Sequence, residues 1–173
     1  MDTVLKLAGT AVAELGKYVT ATHAKYAVWA VMGGGSIPKL IGGGPMKKKF
    51  PKLPDWFYFP AGLWELLAAL LVTKVVELPK NDIIKASSFE VGQYLSLAYL
   101  GGVVVNNLSI HFKIPDSIPS TIFCFFFIGA VGILGVENKT KLTELHVFAV
   151  AAGAGIGAIV GALGKKPVPK KKN

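Results

Sequence analysis

The apolar residues of this chain fall in long runs rather than in the strict alternation of half-buried strands. Segments at about 56–76, 91–112, 119–136 and 145–164 are apolar throughout, and each has the ~18–22 residues that cross a bilayer core as a helix. A further segment, about 26–44, has the length but carries Ser36, Pro38 and Lys39. The pattern predicts an all-α, integral membrane helical bundle over 26–164 with four or five spans, since lipid offers the backbone no other hydrogen-bonding partner. Ahead of it, Val4, Leu7, Ala8, Ala11, Val12 and Leu15 recur at helical spacing with Lys6, Glu14 and Lys17 among them. Residues 1–18 therefore read as an amphipathic helix that lies on the membrane or packs against the bundle, the alternative being a frayed tail. A signal peptide's basic start, apolar core and small-residue cleavage site do not follow one another here, while removal of an organelle transit peptide stays open.

Composition strengthens this picture. The 173 residues are 52% hydrophobic and 17% charged, with a mean hydropathy of +0.51, and a chain of that make-up needs lipid as part of its solvent. All 19 basic residues are lysines, so the bidentate guanidinium suited to phosphate and base edges is missing and nucleic acid is excluded as a partner. The net charge of +9 is better read as lysine clusters at a membrane surface, each lysine gaining ~1 kcal/mol near anionic lipid. Lys47, Lys48, Lys49 and Lys52 follow the first span, and Lys165, Lys166, Lys170, Lys171 and Lys172 form a basic tail at 165–173. With five spans both clusters share one side with Lys113. The other side receives Lys74, Lys80, Lys85, Lys139 and Lys141, balanced by Glu77, Asp82, Glu137 and Glu144, as the positive-inside pattern requires. The arm adds Lys6, Lys17 and Lys25 to that second side, against the trend. The glycosylation triplets at Asn107 and Asn138 sit in a span and in a very short loop, and read as chance.

Chemistry within the spans is sparse. Cys124 stands alone, and no Cys/His set has metal-ligand spacing, so no metal site is expected and no catalytic constellation emerges. Glu65 lies in the middle of its span, where a charge costs ~3 kcal/mol or more without a partner. It is expected to face the bundle interior, protonated or paired. Lys39 is the leading partner, although it can also snorkel to the headgroups. Asn106, Asn107, Ser109 and His111 cluster at the far end of the third span, at the same membrane surface as Lys39 under the five-span alternation. Lys39, Glu65, Asn106, Asn107 and His111 thus form a candidate intramembrane polar pocket, with an interfacial His111 of no special role as the plainer reading. His23 and His146, at segment borders, receive that same reading. Gly153, Gly157 and Gly161 lie four apart along one face of the last span, a packing surface for a neighbouring helix of this chain or of another protein. The glycines of the first span thin it so that Trp64 or Glu65 can come close, while Pro38 frees a backbone carbonyl near Lys39.

A glycine-rich first span ending in Gly35-Ser-Ile-Pro-Lys-Leu40, a loop with Pro54-Asp-Trp56, and a span carrying Gly62-Leu-Trp-Glu-Leu-Leu-Ala-Ala69 resemble the DoxX-like family of small four-helix membrane proteins over about 27–136. The resemblance implies an antiparallel bundle, association with membrane-bound oxidoreductase assemblies that include a quinone-reducing enzyme, and carry-over of the family's lysine and glutamate as Lys39 and Glu65. The arm and the extra glycine-rich last span depart from that pattern and suit docking against something larger. The leading expectation is a non-catalytic accessory or stabilising subunit of a larger membrane, bioenergetic complex, in contact with lipid and other membrane subunits and holding lipid, quinone or pigment. A partner in a quinone-linked oxidoreductase comes second, and proton or ion transport third. The membrane itself, of an organelle inner or thylakoid type or a plasma or endomembrane, is left open.

Overall fold

A computed structural model describes residues 2–79, 86–111 and 127–164, and these are helical with no strand among them. The helices are α1 (Asp2–Leu15), α2 (Ala21–Val28), α3 (Gly34–Leu40), α4 (Gly44–Lys49), α5 (Tyr58–Val72), α6 (Ser88–His111), α7 (Phe127–Glu137) and α8 (Glu144–Gly164). Cys124, Lys113 and the basic tail lie outside the described residues, as do the side chains of Asn106, Asn107, Ser109 and His111. Two helices are long and apolar enough to cross a membrane among the described residues: α5 taken with its leading 3-10 turn (Asp55–Val72), and α8. α6 has 24 residues, but Gln93, Ser96, Asn106 and Asn107 dilute its apolar side chains.

The stretch expected as the first span runs through α2, a π-helical turn at Trp29–Gly33, and α3. Thr20 caps its start by accepting the His23 backbone N–H, which satisfies one of the donors a helix leaves open. The Trp29 indole folds back over Gly33, where a methyl group would collide with the ring. Pro38 sits inside α3 and brings no N–H for the Gly34 carbonyl four residues earlier. The stretch stops at Gly42, Gly43 and Gly44, whose φ angles of 132°, 90° and 46° lie where side chains are strained.

Close approaches fix the directions of the helices. Gly62 of α5 packs on the Ser36 carbonyl and the Lys39 Cβ of α3. Gly92 of α6 packs on the backbone of Leu71 and Val72, at the end of α5. α6 and α8 run parallel, backbone against backbone: Ala98 faces Gly153, Gly102 faces both Gly153 and Gly157, and Tyr94 stacks edge-on against His146 at 4.9 Å. The neighbour of the Gly153 and Gly157 face is thus α6 of the same chain, and Gly161 further along is also buried.

The core joins Val28 and Met32 to Ala68, Val72, Leu97, Leu100, Phe127, Val131 and Leu134. α1 closes the bundle beside α7, with Val12 over Gly132 and Leu15 over Gly129, which places the arm against the bundle. The lysine-rich α4 and the loop after it sit at the same end as the C-terminus of α8. The Lys52 N–H donates to the Gly164 carbonyl at 3.1 Å, and Tyr58 OH donates to the Phe50 carbonyl at 2.8 Å.

Candidate functional site

Glu65 has no exposed surface at all. Its position follows from glycine at two places. Gly62, one turn earlier, lets α3 lie directly on α5, because a Cβ there would sit 2.9 Å from both the Ser36 carbonyl oxygen and the Lys39 Cβ. Gly35 on α3 then leaves room for the carboxylate, whose Oε2 would be 3.4 Å from an added methyl. Across this contact Lys39 Nζ donates to Glu65 Oε1, and the lysine side chain is only 11% exposed. The structure therefore brings together the two residues that the sequence singles out most strongly. Pairing each charge with the other offsets part of the cost of taking both out of water.

A third member comes from α6. Tyr99 stands where Lys39 Nζ reaches its hydroxyl at 3.3 Å and lies 5.3 Å from the ring centroid. Sequence reasoning passed over Tyr99 in favour of Asn106, Asn107 and His111, which lie further along the same helix. A helical phase count from Gln93, Ser96 and Tyr99, all three or six residues apart, offered a signal for an inward polar face. Trp64, next to Glu65, is fixed by its indole N–H donating to the Leu95 carbonyl at 3.1 Å. Glu65 Oε2 is buried without a hydrogen bond of its own.

Lys39, Tyr99 and Trp64 form one wall of a cavity of about 560 Å³ enclosed by α3, α5, α6 and α8. Glycines 34, 35, 102, 153 and 157 supply bare backbone to its walls, and Phe50, Phe57 and Met46 close it toward the lysine-rich loop. Gly34, Pro60 and Ile156 on its rim are exposed, so it opens through the side of the bundle.

His146 also departs from the plain border reading. It is 4% exposed, and its Nδ1 accepts from the Thr143 backbone N–H at 3.1 Å in the first turn of α8. His23, by contrast, stays at the surface beside Thr20. No group of three or more His, Cys, Asp or Glu side chains able to hold a metal ion occurs among the described residues. Models of known protein families, curated proteins and solved structures yield no match to this chain.

Proposed function

We propose that the chain is a small integral membrane protein of four or five spans, DoxX-like in its Lys39 and Glu65 elements, that serves as a non-catalytic accessory subunit of a larger membrane complex. The supporting observation is where its apolar side chains go. α8 turns Leu145, Phe148, Ile156, Ile159 and Leu163 outward, at exposures from 46% to 69%. α5 and its leading turn do the same with Trp56, Phe59, Leu63 and Leu67. These residues recur at three- and four-residue spacing, or twice that, so each set forms one continuous stripe. A stripe running the length of a helix exceeds the scattered apolar exposure of water-soluble monomers and needs lipid or a partner helix to cover it. Lysines at the α4 end suit the headgroups beyond the stripe.

The test is purification of the tagged chain from its native membrane in mild detergent. The expected result is resistance to carbonate extraction and comigration with other membrane subunits at defined stoichiometry. Recovery as a detergent-solubilised 18.3 kDa chain without companions would overturn the subunit role, and release by carbonate would overturn the membrane placement.

A further inference from the structure

We propose that the cavity between α3, α5, α6 and α8 holds one acyl chain of an anionic phospholipid whose phosphate lies outside it, on Lys48 and Lys52. The inference rests on the membrane placement proposed above but not on the chain belonging to a larger assembly.

The first argument is shape. The cavity runs along α5 from Phe57 to Trp64 and along α8 from Gly153 to Val160, about 10 Å at a helical rise of 1.5 Å per residue. Its volume of about 560 Å³ is that of a small-ligand site. A helix of a neighbouring subunit, about 10–12 Å across with its side chains, does not enter such a space. The rim at Gly34, Pro60 and Ile156 is exposed, and Ile156 also belongs to the outward apolar stripe of α8, so the opening meets acyl chains rather than water.

The second argument is polarity. The Trp64 indole N–H is taken by the Leu95 carbonyl, and apart from Lys39 and Tyr99 the lining is glycine backbone and apolar side chain. The Lys39 charge is already matched by Glu65. A phosphate drawn inside would leave a net buried negative charge, whereas a hydrocarbon chain leaves the pair balanced. The chain therefore enters and the phosphate stays out.

The third argument is charge complementarity. Met46 and Phe50 bound the cavity at one end, where the same short segment carries Lys47, Lys48, Lys49 and Lys52 against a single carboxylate, Asp55. Asp55 takes Lys47 Nζ at 2.7 Å. Lys48 and Lys52 are exposed and form no ion pair among the described residues, so they remain for an anionic headgroup. Lys52 is fixed in place because its N–H donates to the Gly164 carbonyl at 3.1 Å and Gly164 packs on Phe50, itself part of the cavity wall. A lipid whose phosphate rests at this end sends its chains along the helices, which is the direction in which the cavity runs.

The experiment titrates the full chain in mild detergent with dioleoyl phosphatidylglycerol or dioleoyl phosphatidylcholine and counts bound lipid by native mass spectrometry. The expected result is a plateau at one phosphatidylglycerol per chain, retained at least fivefold better than phosphatidylcholine with the same acyl chains. Lys48→Gln/Lys52→Gln should bring the two lipids within twofold of each other. Val103→Phe/Val160→Phe, which fills the cavity and leaves the ion pair intact, should abolish the plateau. So should Gly34→Leu, which narrows the mouth from an exposed position where an added Cβ meets only the Trp29 carbonyl oxygen at 3.9 Å, and which keeps the test decisive if the double variant does not fold. The proposal is overturned by adducts that climb past one without a plateau, by equal retention of the two lipids, by a wild-type plateau in the Gly34→Leu variant, or by displacement of the lipid with a tenfold excess of inorganic phosphate. Because carbonate extraction reports membrane placement independently of lipid counting, a failure of binding is distinguishable from a failure of the membrane reading.

Discussion

Removing Lys39 should cost more than removing the whole pair. Lys39→Met leaves Glu65, with no exposed surface, as a buried charge without its cation, a loss of about 3–5 kcal/mol. Glu65→Leu is milder. The lysine keeps the Tyr99 hydroxyl at 3.3 Å and borders an open cavity, so the loss is about 1.5–3 kcal/mol, that of a hydrogen bond to a charged group. Lys39→Met/Glu65→Leu removes both charges and puts apolar side chains of similar length in their place, which is about neutral for a buried pair. The coupling energy of the cycle should therefore reach at least about 3 kcal/mol, far beyond the ~0.5 kcal/mol within which independent sites add. The measurement is equilibrium unfolding of the four proteins in mixed micelles, followed by helical circular dichroism. Additive losses, or a double variant less stable than Lys39→Met alone, would refute the claim that the lysine's main task is to neutralise Glu65.

Three further outcomes follow from the geometry. Gly157→Ala should destabilise the protein by at least about 1 kcal/mol in a micelle melt, as overpacking does, because its methyl would overlap the Gly102 carbonyl; Gly155→Ala, which meets nothing within 4 Å, should be neutral or stabilise by up to about 1 kcal/mol. At the start of α6, ahead of the span, the Ser87 backbone N–H and hydroxyl each donate to Glu90 Oε2 at 2.8 Å in a capping box, holding the carboxyl below its ordinary value of 4.5. A lowered folded value means the contribution is complete above 4.5 and lost as pH falls through the folded value; Glu90→Gln should accordingly be less stable than the parent at pH 7 and converge with it in acid, and a gap that widens in acid would reject the assignment. In a Cys124→Ser background, Lys48→Cys and Lys166→Cys should label from the same face of sealed vesicles, since the loop after α4 and the end of α8 meet at Lys52 and Gly164; labelling from opposite faces would reject the topology.

How much of this was legible in the sequence depends on which physical cost was in play. The Lys39–Glu65 contact could be read from single residues because a lone carboxyl at mid-span has so few tolerable environments. The glycine spacing of α8 announced a close helix contact, and Gly101-Gly102 on α6 was the matching signal. Their parallel direction was implied by the alternation of the three spans, but which residues face each other across the contact was not. The Gln93, Ser96, Tyr99 phase marked an inward polar face of α6, but that Tyr99 meets Lys39 is set by the packing of separate helices. α5 ends at Val72 rather than running on through the apolar Val75 and Val76. There the Thr73 hydroxyl donates to the Ala69 carbonyl at 2.7 Å and Lys74 takes a positive φ of 59°, so local hydrogen bonding overrides apolarity. The cavity was invisible in the sequence because it is a property of four helices at once.

The helix that carries Lys39 is built from poor helix formers. In water its three consecutive glycines, Gly33, Gly34 and Gly35, would each lose about 1 kcal/mol against alanine, and Pro38 about 3 kcal/mol. Those figures measure competition with a hydrated coil. In a bilayer core the coil is not a competitor, because an unpaired backbone group there costs several kcal/mol. The penalty for glycine therefore shrinks in the setting where its small size is most useful. With an alanine at Gly62 the two helices would have to separate, since its methyl would meet the Ser36 carbonyl and Lys39 at 2.9 Å. A separation of about a methyl radius would carry Lys39 Nζ out of hydrogen-bond range of Glu65. Gly62 is therefore required by the helix contact that carries the ion pair and Gly33 by the Trp29 ring that covers it, whereas Gly35, Gly34 and Pro38 line the cavity. On this account Gly62→Ala should lose the coupling between Lys39 and Glu65 while keeping both residues, which makes it a sharper probe of the contact than either charge removal alone.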